Sequence, residues 1–361
     1  MKQMDKIMSE VNYDLNKIKL VKCIGCHNEE DWIEYVLKNN YDEFDIIRVV
    51  EGAVEGRPGA TPDGSSTDST LEIIKSFPDP DNKIQLYTLN RSFKSLEEQK
   101  QIFIDAASPG EWLFIVDADE FYMEGDVNRV RQAIHMHPTA SEIIPTFLHF
   151  YRDFFHVRAP HPEWQPQHQR IIKYVPGMRY YTHPVATLPN GKCSYFTPEM
   201  QQLRYTMPGL YIYHYGHAKG HEFHKMKAEF YRSELAKYEG RGGSAATEFD
   251  IKLDEFVNFK EDLNEILFYN GPQPKILDEH PQRQEMACTI RSRYYAQIFC
   301  TDNYCDMKDY PELCHNENDQ PIKNWKEDKI YSKDRLPNIA VWMEDFWGTK
   351  RMEPFYNTVE V

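Results

Sequence analysis

Residues 111–122 read EWLFIVDADEFY. Trp112 to Val116 form an unbroken apolar run that passes straight into Asp117, Asp119 and Glu120. A short run of aromatic and β-branched residues is the pattern of a strand buried on both faces. Ligands of sheets built from such strands sit beyond the strands' carboxyl ends. Two carboxylates separated by one small residue at that end suit a hard divalent cation bridging to a diphosphate. The plainer alternative is a strand that ends in solvated acids. An EF-hand is excluded, because Phe121 and Tyr122 stand where an oxygen ligand and a glycine would be needed.

Upstream, strands and helices alternate. IKLVKCIGC (18–26) predicts a first strand, and HNEEDWIEYVLKNN (27–40), with acids in its first turn, a helix. FDIIRVVEGA (44–53) is the second strand, followed by a Gly- and Pro-rich loop and the short helix LEIIKSF (71–77). KIQLYTL (83–89) is the third strand, SLEEQKQIFIDAA (95–107) a helix, and WLFIVDAD (112–119) the fourth strand. This order predicts a mainly parallel sheet covered on both faces, with HNEE, EGA and DADE on one rim. A phosphatase with an aspartyl nucleophile would carry its acids on the first strand instead. Downstream, 142–151, 168–175 and 209–217 read as strands, while 221–237 and part of 249–270 read as helical. The segment 239–247, EGRGGSAAT, reads as a flexible linker.

The chain has 361 residues, enough for one large domain or two ordinary ones. Its 23 Tyr and 20 Phe suit clefts that grip planar or sugar-like ligands. With 42 Lys+Arg against 57 Asp+Glu the formal charge is -15, which disfavours duplex nucleic acid as a partner without excluding a local basic groove. No apolar run approaches the ~20 residues that span a bilayer, and the N-terminal segment is polar, so a soluble, cytoplasmic protein is expected. Seven scattered Cys fit reduced thiols. Cys288, Cys300, Cys305, Cys314 and His315 match no zinc-module spacing.

The ordered set VKCIGCHNEEDWI, DGSSTDST-LEII and VDADEF resembles the family-2 glycosyltransferases and their relatives with the GT-A fold. The resemblance covers roughly residues 17–123. It implies a GT-A (Rossmann-like) mixed sheet flanked by helices, with a mainly helical or irregular C-terminal extension. We expect residues 1–220 to form the nucleotide-sugar-binding and catalytic domain and 221–361 the acceptor-side extension. The implied activity is metal-dependent, inverting transfer from a nucleoside-diphosphate sugar, UDP-sugars favoured, to a hydroxyl acceptor such as a glycan, a lipid-linked precursor, a protein or a modified base. The implied ion is Mn²⁺ or Mg²⁺, held by Asp117, Asp119 and a histidine from a later strand end. YIYHYGHAKGHEFHK offers His214, His217, His221 and His224, of which the pattern favours His214, then His217.

The same resemblance places Asn28, Glu29 and Glu51 around the base and ribose, with Asp63 a rival to Glu51, because twelve residues, Gly52 to Asp63, separate Glu51 from Gly64. Asp68 is expected to cap the following helix. Arg91 is the candidate diphosphate contact, and Lys94 and Lys100 are expected on the surface. Glu163, Glu120 and His183 are the candidate bases, since His183-Pro184 stands where relatives carry a His-Glu pair. Three alternatives stay open: a glycosyltransferase that modifies DNA bases, a sugar nucleotidyltransferase, and a non-catalytic carbohydrate-binding protein. The second would want a Gly-rich basic loop where HNEEDW stands, and the intact Asp117 and Asp119 argue against the third.

Overall fold

The computed structural model describes residues 18–151, 154–158, 169–182, 185–187, 204–219, 266–269 and 271–283. Its first half runs β1 (Lys19–Cys26), α1 (Ile33–Lys38), β2 (Ile46–Glu51), α2 (Thr70–Ser76), β3 (Ile84–Tyr87), α3 (Leu96–Asp105) and β4 (Glu111–Asp117). Successive side chains of a strand face opposite ways, and in β1 both directions are apolar. Leu20 and Ile24 pack with Ile33, Val36 and Leu37 of α1. Val21 and Cys23 pack with Phe103 and Ile104 of α3. The order β3-β2-β1-β4 is parallel throughout, as the repeats require.

One charged residue interrupts β1. Lys22 is fully buried, and its ammonium donates to the carbonyls of Val36 and, at 2.7 Å, Asn39. Those carbonyls belong to the last turn of α1 and its exit, where no amide of the helix can reach them. Burial lowers the Lys22 pKa to about 7.

The second half turns the sheet mixed. It comprises β5 (Glu120–Phe121), α4 (Asp126–Met136), β6 (Glu142–Tyr151), β7 (His156–Arg158), β8 (Ile171–Lys173), the hairpin of β9 (Arg179–Thr182) and β10 (Val185–Thr187), β11 (Arg204–His217) and β12 (Ile266–Phe268). Strand β8 lies antiparallel between β4 and β6, and β7 and β12 extend the far edge. Strand β11 runs parallel to β6 and antiparallel to β5. Its register jumps from Thr206↔Ile144 to Tyr211↔Thr146 opposite Pro145, which has no amide to offer the ladder. The bulged carbonyls of Pro208 and Gly209 are taken by Arg129 instead.

Several sequence expectations shift. The helix expected over 27–40 forms only from Ile33, because residues 27–30 are held in a turn by the loop that follows β2. Strand β11 begins five residues earlier than 209, at Arg204. In the segment 249–270, residues 266–268 are a strand. A short 3₁₀ turn, Lys275–Glu279, follows, and His280 then lies 4.4 Å from the Trp32 ring and 4.6 Å from Tyr35. The expected helix over 221–237, the linker 239–247 and the late cysteines lie outside the described residues. Among the described residues no helix is long and apolar enough to cross a membrane.

Candidate functional site

Register aligns the motifs on one rim, with Gly25 opposite Asp117 and Cys26 opposite Glu51. Beyond β1 and β2 the two loops are laced together. Asn28, in the left-handed region at φ 53, donates from its side chain to Gly59 O and accepts from Thr67 N, both at 2.9 Å. Glu30 accepts from Ser69 N at 3.0 Å. Asp68, expected to cap α2, stands one residue before the N-cap, which is Ser69, and accepts from Thr70 N at 3.0 Å. Gly64, at φ 85, has no alternative there: a Cβ would stand 2.4 Å from the backbone of Arg91.

The two rival acids differ in setting. Glu51 is buried, and its Oε1 accepts from Ser66 N at 2.8 Å and from Ser66 Oγ at 2.7 Å. Burial raises its pKa, against the Ser66 hydrogen bonds, and Oε2 has no hydrogen-bond partner among the described residues. Asp63 is exposed and holds its own turn by accepting from the Thr61 hydroxyl and Ser65 N, which lowers its pKa.

Asp117 and Asp119 part company at the end of β4. Asp117 remains partly exposed, its Oδ2 accepting from Arg170 at 2.9 Å and its Oδ1 3.6 Å from Lys100 Nζ. Arg170 also donates to Glu120 at 2.6 Å. Although burial opposes its charge, Glu120 and Asp117 raise the Arg170 pKa above the ordinary value. Glu120 is buried and accepts the Asp117 amide, and desolvation lifts its pKa to about 7 against the pull of Arg170. Lys100, expected on the surface, is instead buried on the inner face of α3, where desolvation lowers its pKa.

Asp119 faces the other way. Strand β5 pairs with β11 so that Glu120 lies opposite His214, and Tyr215 N donates to the Asp119 carbonyl at 2.9 Å. That pairing sets His214 Nε2 3.7 Å from Asp119 Oδ1. Lys219 reaches Asp119 Oδ2 at 2.8 Å and Glu29 at 2.7 Å. Burial raises the Glu29 pKa, and Lys219 opposes it. Lys219 is itself buried, but Asp119 and Glu29 raise its pKa. Gly216 leaves room at this corner, since a Cβ would stand 2.4 Å from His214 Nε2 and 3.2 Å from Asp119 Oδ2. A carboxylate oxygen and an imidazole nitrogen around a space that even a methyl group would close are a donor set that fits Mn²⁺ more readily than Mg²⁺, which favours oxygen ligands alone.

Arg91 sits exposed on the rim and is clamped by Glu98 at 2.8 and 3.0 Å. Lys94 is exposed. Glu163 and His183 lie outside the described residues, as do His221 and His224. Sequence reasoning missed Arg170, Lys219 and His149 as members of the site. His149 shares a 2.7 Å contact between its Nδ1 and that of His214.

Residues 61–196 match the family model described as glycosyl transferase family 2. Among solved structures, the chain is similar to residues 1–349 of TarS from S. aureus at 13% identity and TM-score 0.36, covering 68% of this chain and 73% of that one. The same protein in complex with UDP-GlcNAc gives 13% identity, TM-score 0.36 and coverage of 68% and 74%. A further TarS structure gives 15% identity, TM-score 0.34 and coverage of 67% and 43%. No curated protein matches the chain.

Proposed function

We propose that this chain, a family-2-like glycosyltransferase of the GT-A fold, uses Asp119 and His214 to hold the Mn²⁺ or Mg²⁺ of a UDP-sugar and passes the sugar to a hydroxyl acceptor with inversion. The observation that carries it is the meeting of Asp119 and His214 across the β5–β11 pairing, with Gly216 keeping the corner open. An ion bound there would offset the charge that gathers on the departing diphosphate.

The chain's own residues divide the remaining work. Lys219 bridges Asp119 and Glu29 and would set a positive charge beside the diphosphate. Arg170 and Lys100 pair with Asp117 at the rim, where it can contact ribose or ion. Of the two rival acids, Glu51 is the better placed for the base, ending β2 with one oxygen unpaired among the described residues. Arg91 stands where it could exchange Glu98 for a phosphate. Glu120, buried against Arg170, is a positioning residue. The base that deprotonates the acceptor is then Glu163 or His183. We take the donor-binding domain as residues 1–220 together with 266–283, whose described part packs on β7, Trp32 and Tyr35.

Donor hydrolysis tests this reading. UDP- and GDP-sugars are incubated with the protein, with Mn²⁺ or with EDTA, and nucleotide release is followed. We expect release from a UDP-sugar that EDTA suppresses at least about tenfold. Equal release in EDTA, or none from any donor, would contradict it.

A further inference from the structure

Three imidazoles gather beside the Asp119 corner. His149 on β6 and His214 on β11 are register partners, and His217 follows a register shift that sets it opposite Tyr151. The ring centroids are 4.9 Å apart for His149 and His214, 5.4 Å for His214 and His217, and 6.0 Å for His149 and His217. The planes cross at 80°, 81° and 68°, so the rings fan around a shared point instead of stacking. One nitrogen from each ring lies within 4.8 Å of the other two, and all three side chains are half-buried. Three imidazoles on a tetrahedral ion with Zn–N of about 2.0–2.1 Å would have nitrogens roughly 3.3 Å and centroids roughly 5 Å apart. The observed spacing needs adjustments of about an ångström or less in the rings to reach that geometry.

We propose that His149, His214 and His217 form a second ion locus, for a borderline divalent cation of the zinc class. Neutral nitrogen donors favour Zn²⁺, Co²⁺ and Ni²⁺, whereas Mg²⁺ and Mn²⁺ prefer the oxygen that Asp119 supplies. His214 links the two loci, with Nε2 3.7 Å from Asp119 and Nδ1 2.7 Å from His149 Nδ1. This locus does not depend on the chain using a nucleotide sugar.

Cobalt is the probe. Co²⁺ is titrated into the whole protein without nucleotide, and the visible band of tetrahedral Co²⁺ is followed in the native chain and in Asp119→Asn, His149→Gln and His217→Ala. Circular dichroism checks that each variant is folded. We expect the band in the native chain, with Kd within about threefold in Asp119→Asn and at least about tenfold weaker in each histidine variant. Zn²⁺ should abolish the band by displacement. Absence of the band in the native chain, or its loss in Asp119→Asn with retention in both histidine variants, overturns the proposal. Mn²⁺-dependent UDP binding reports the Asp119 site separately, so failure of one reading leaves the other standing.

Discussion

Arg170 is buried with two acids on one of its terminal nitrogens, Asp117 at 2.9 Å and Glu120 at 2.6 Å. Removing one partner of a buried ion pair leaves uncompensated charge, which costs about 3–5 kcal/mol. We expect Arg170→Met to lose about that much stability in urea unfolding, and Glu120→Gln to lose less, because Glu120 already titrates near pH 7. A loss below about 1 kcal/mol in Arg170→Met would mean that the acids are solvated after all. Lys100 carries a lesson of the same scale. Gln99, Lys100, Phe103 and Ile104 recur at helical spacing and are all buried, so the sequence already set Lys100 on the core face of α3. Reading it as a solvated lysine weighed residue type over position. Arg170 could have been flagged too, as one of two cations, with Lys173, that bracket the apolar pair Ile171-Ile172. Which acids it would meet depends on β8 lying against β4, a long-range pairing that no local pattern encodes.

The apolar runs behind β1, β2 and β4 carried the parallel half of the fold, because strands buried on both faces leave an unbroken hydrophobic signature. The same rim order put Asp117 and Asp119 at the end of β4, and the resemblance pointed to His214, which lies 3.7 Å from Asp119. Elements fixed by distant partners were harder. Helix α1 is six residues long because Asn28, Glu29 and Glu30 bond to the loop after β2 in place of a first helical turn. Strand β5 has only two residues and carries no periodicity, yet its pairing with β11 builds the Asp119–His214 corner. Lys22 joins β1 to the end of α1, and this link titrates. Its pKa is about 7 in the folded chain against about 10.4 when unfolded, so between these values the unfolded chain binds the extra proton. Stability from this site therefore rises with pH across that window and is flat above it. We expect the stability of the native chain relative to Lys22→Met, measured by urea unfolding at pH 7, 8.5 and 10, to grow with pH. A constant difference would show that Lys22 keeps its charge when buried.

Over the whole molecule the charge is -15, and the cations nearest the site are already matched with acids: Lys100 and Arg170 with Asp117, and Lys219 with Asp119 and Glu29. Such paired cations have little left for a polyanionic duplex, whose binding would draw on several phosphate contacts and fall steeply with salt. We expect no binding of duplex DNA tighter than about 100 μM at physiological salt in a fluorescence titration. Micromolar, salt-sensitive binding would instead favour an acceptor that is a nucleic-acid base. Strands from both halves of the sheet converge at the Asp119 corner, where the proposed ion for the donor would sit. Calorimetric titration of UDP into the native chain and into Asp119→Ala, each with Mn²⁺ and with EDTA, tests that assignment most directly. We expect binding to the native chain with Mn²⁺ that weakens at least about 100-fold in EDTA, and no Mn²⁺ dependence in Asp119→Ala. Equal UDP affinity in Mn²⁺ and EDTA, or Mn²⁺-dependent binding that survives in Asp119→Ala, would contradict the assignment.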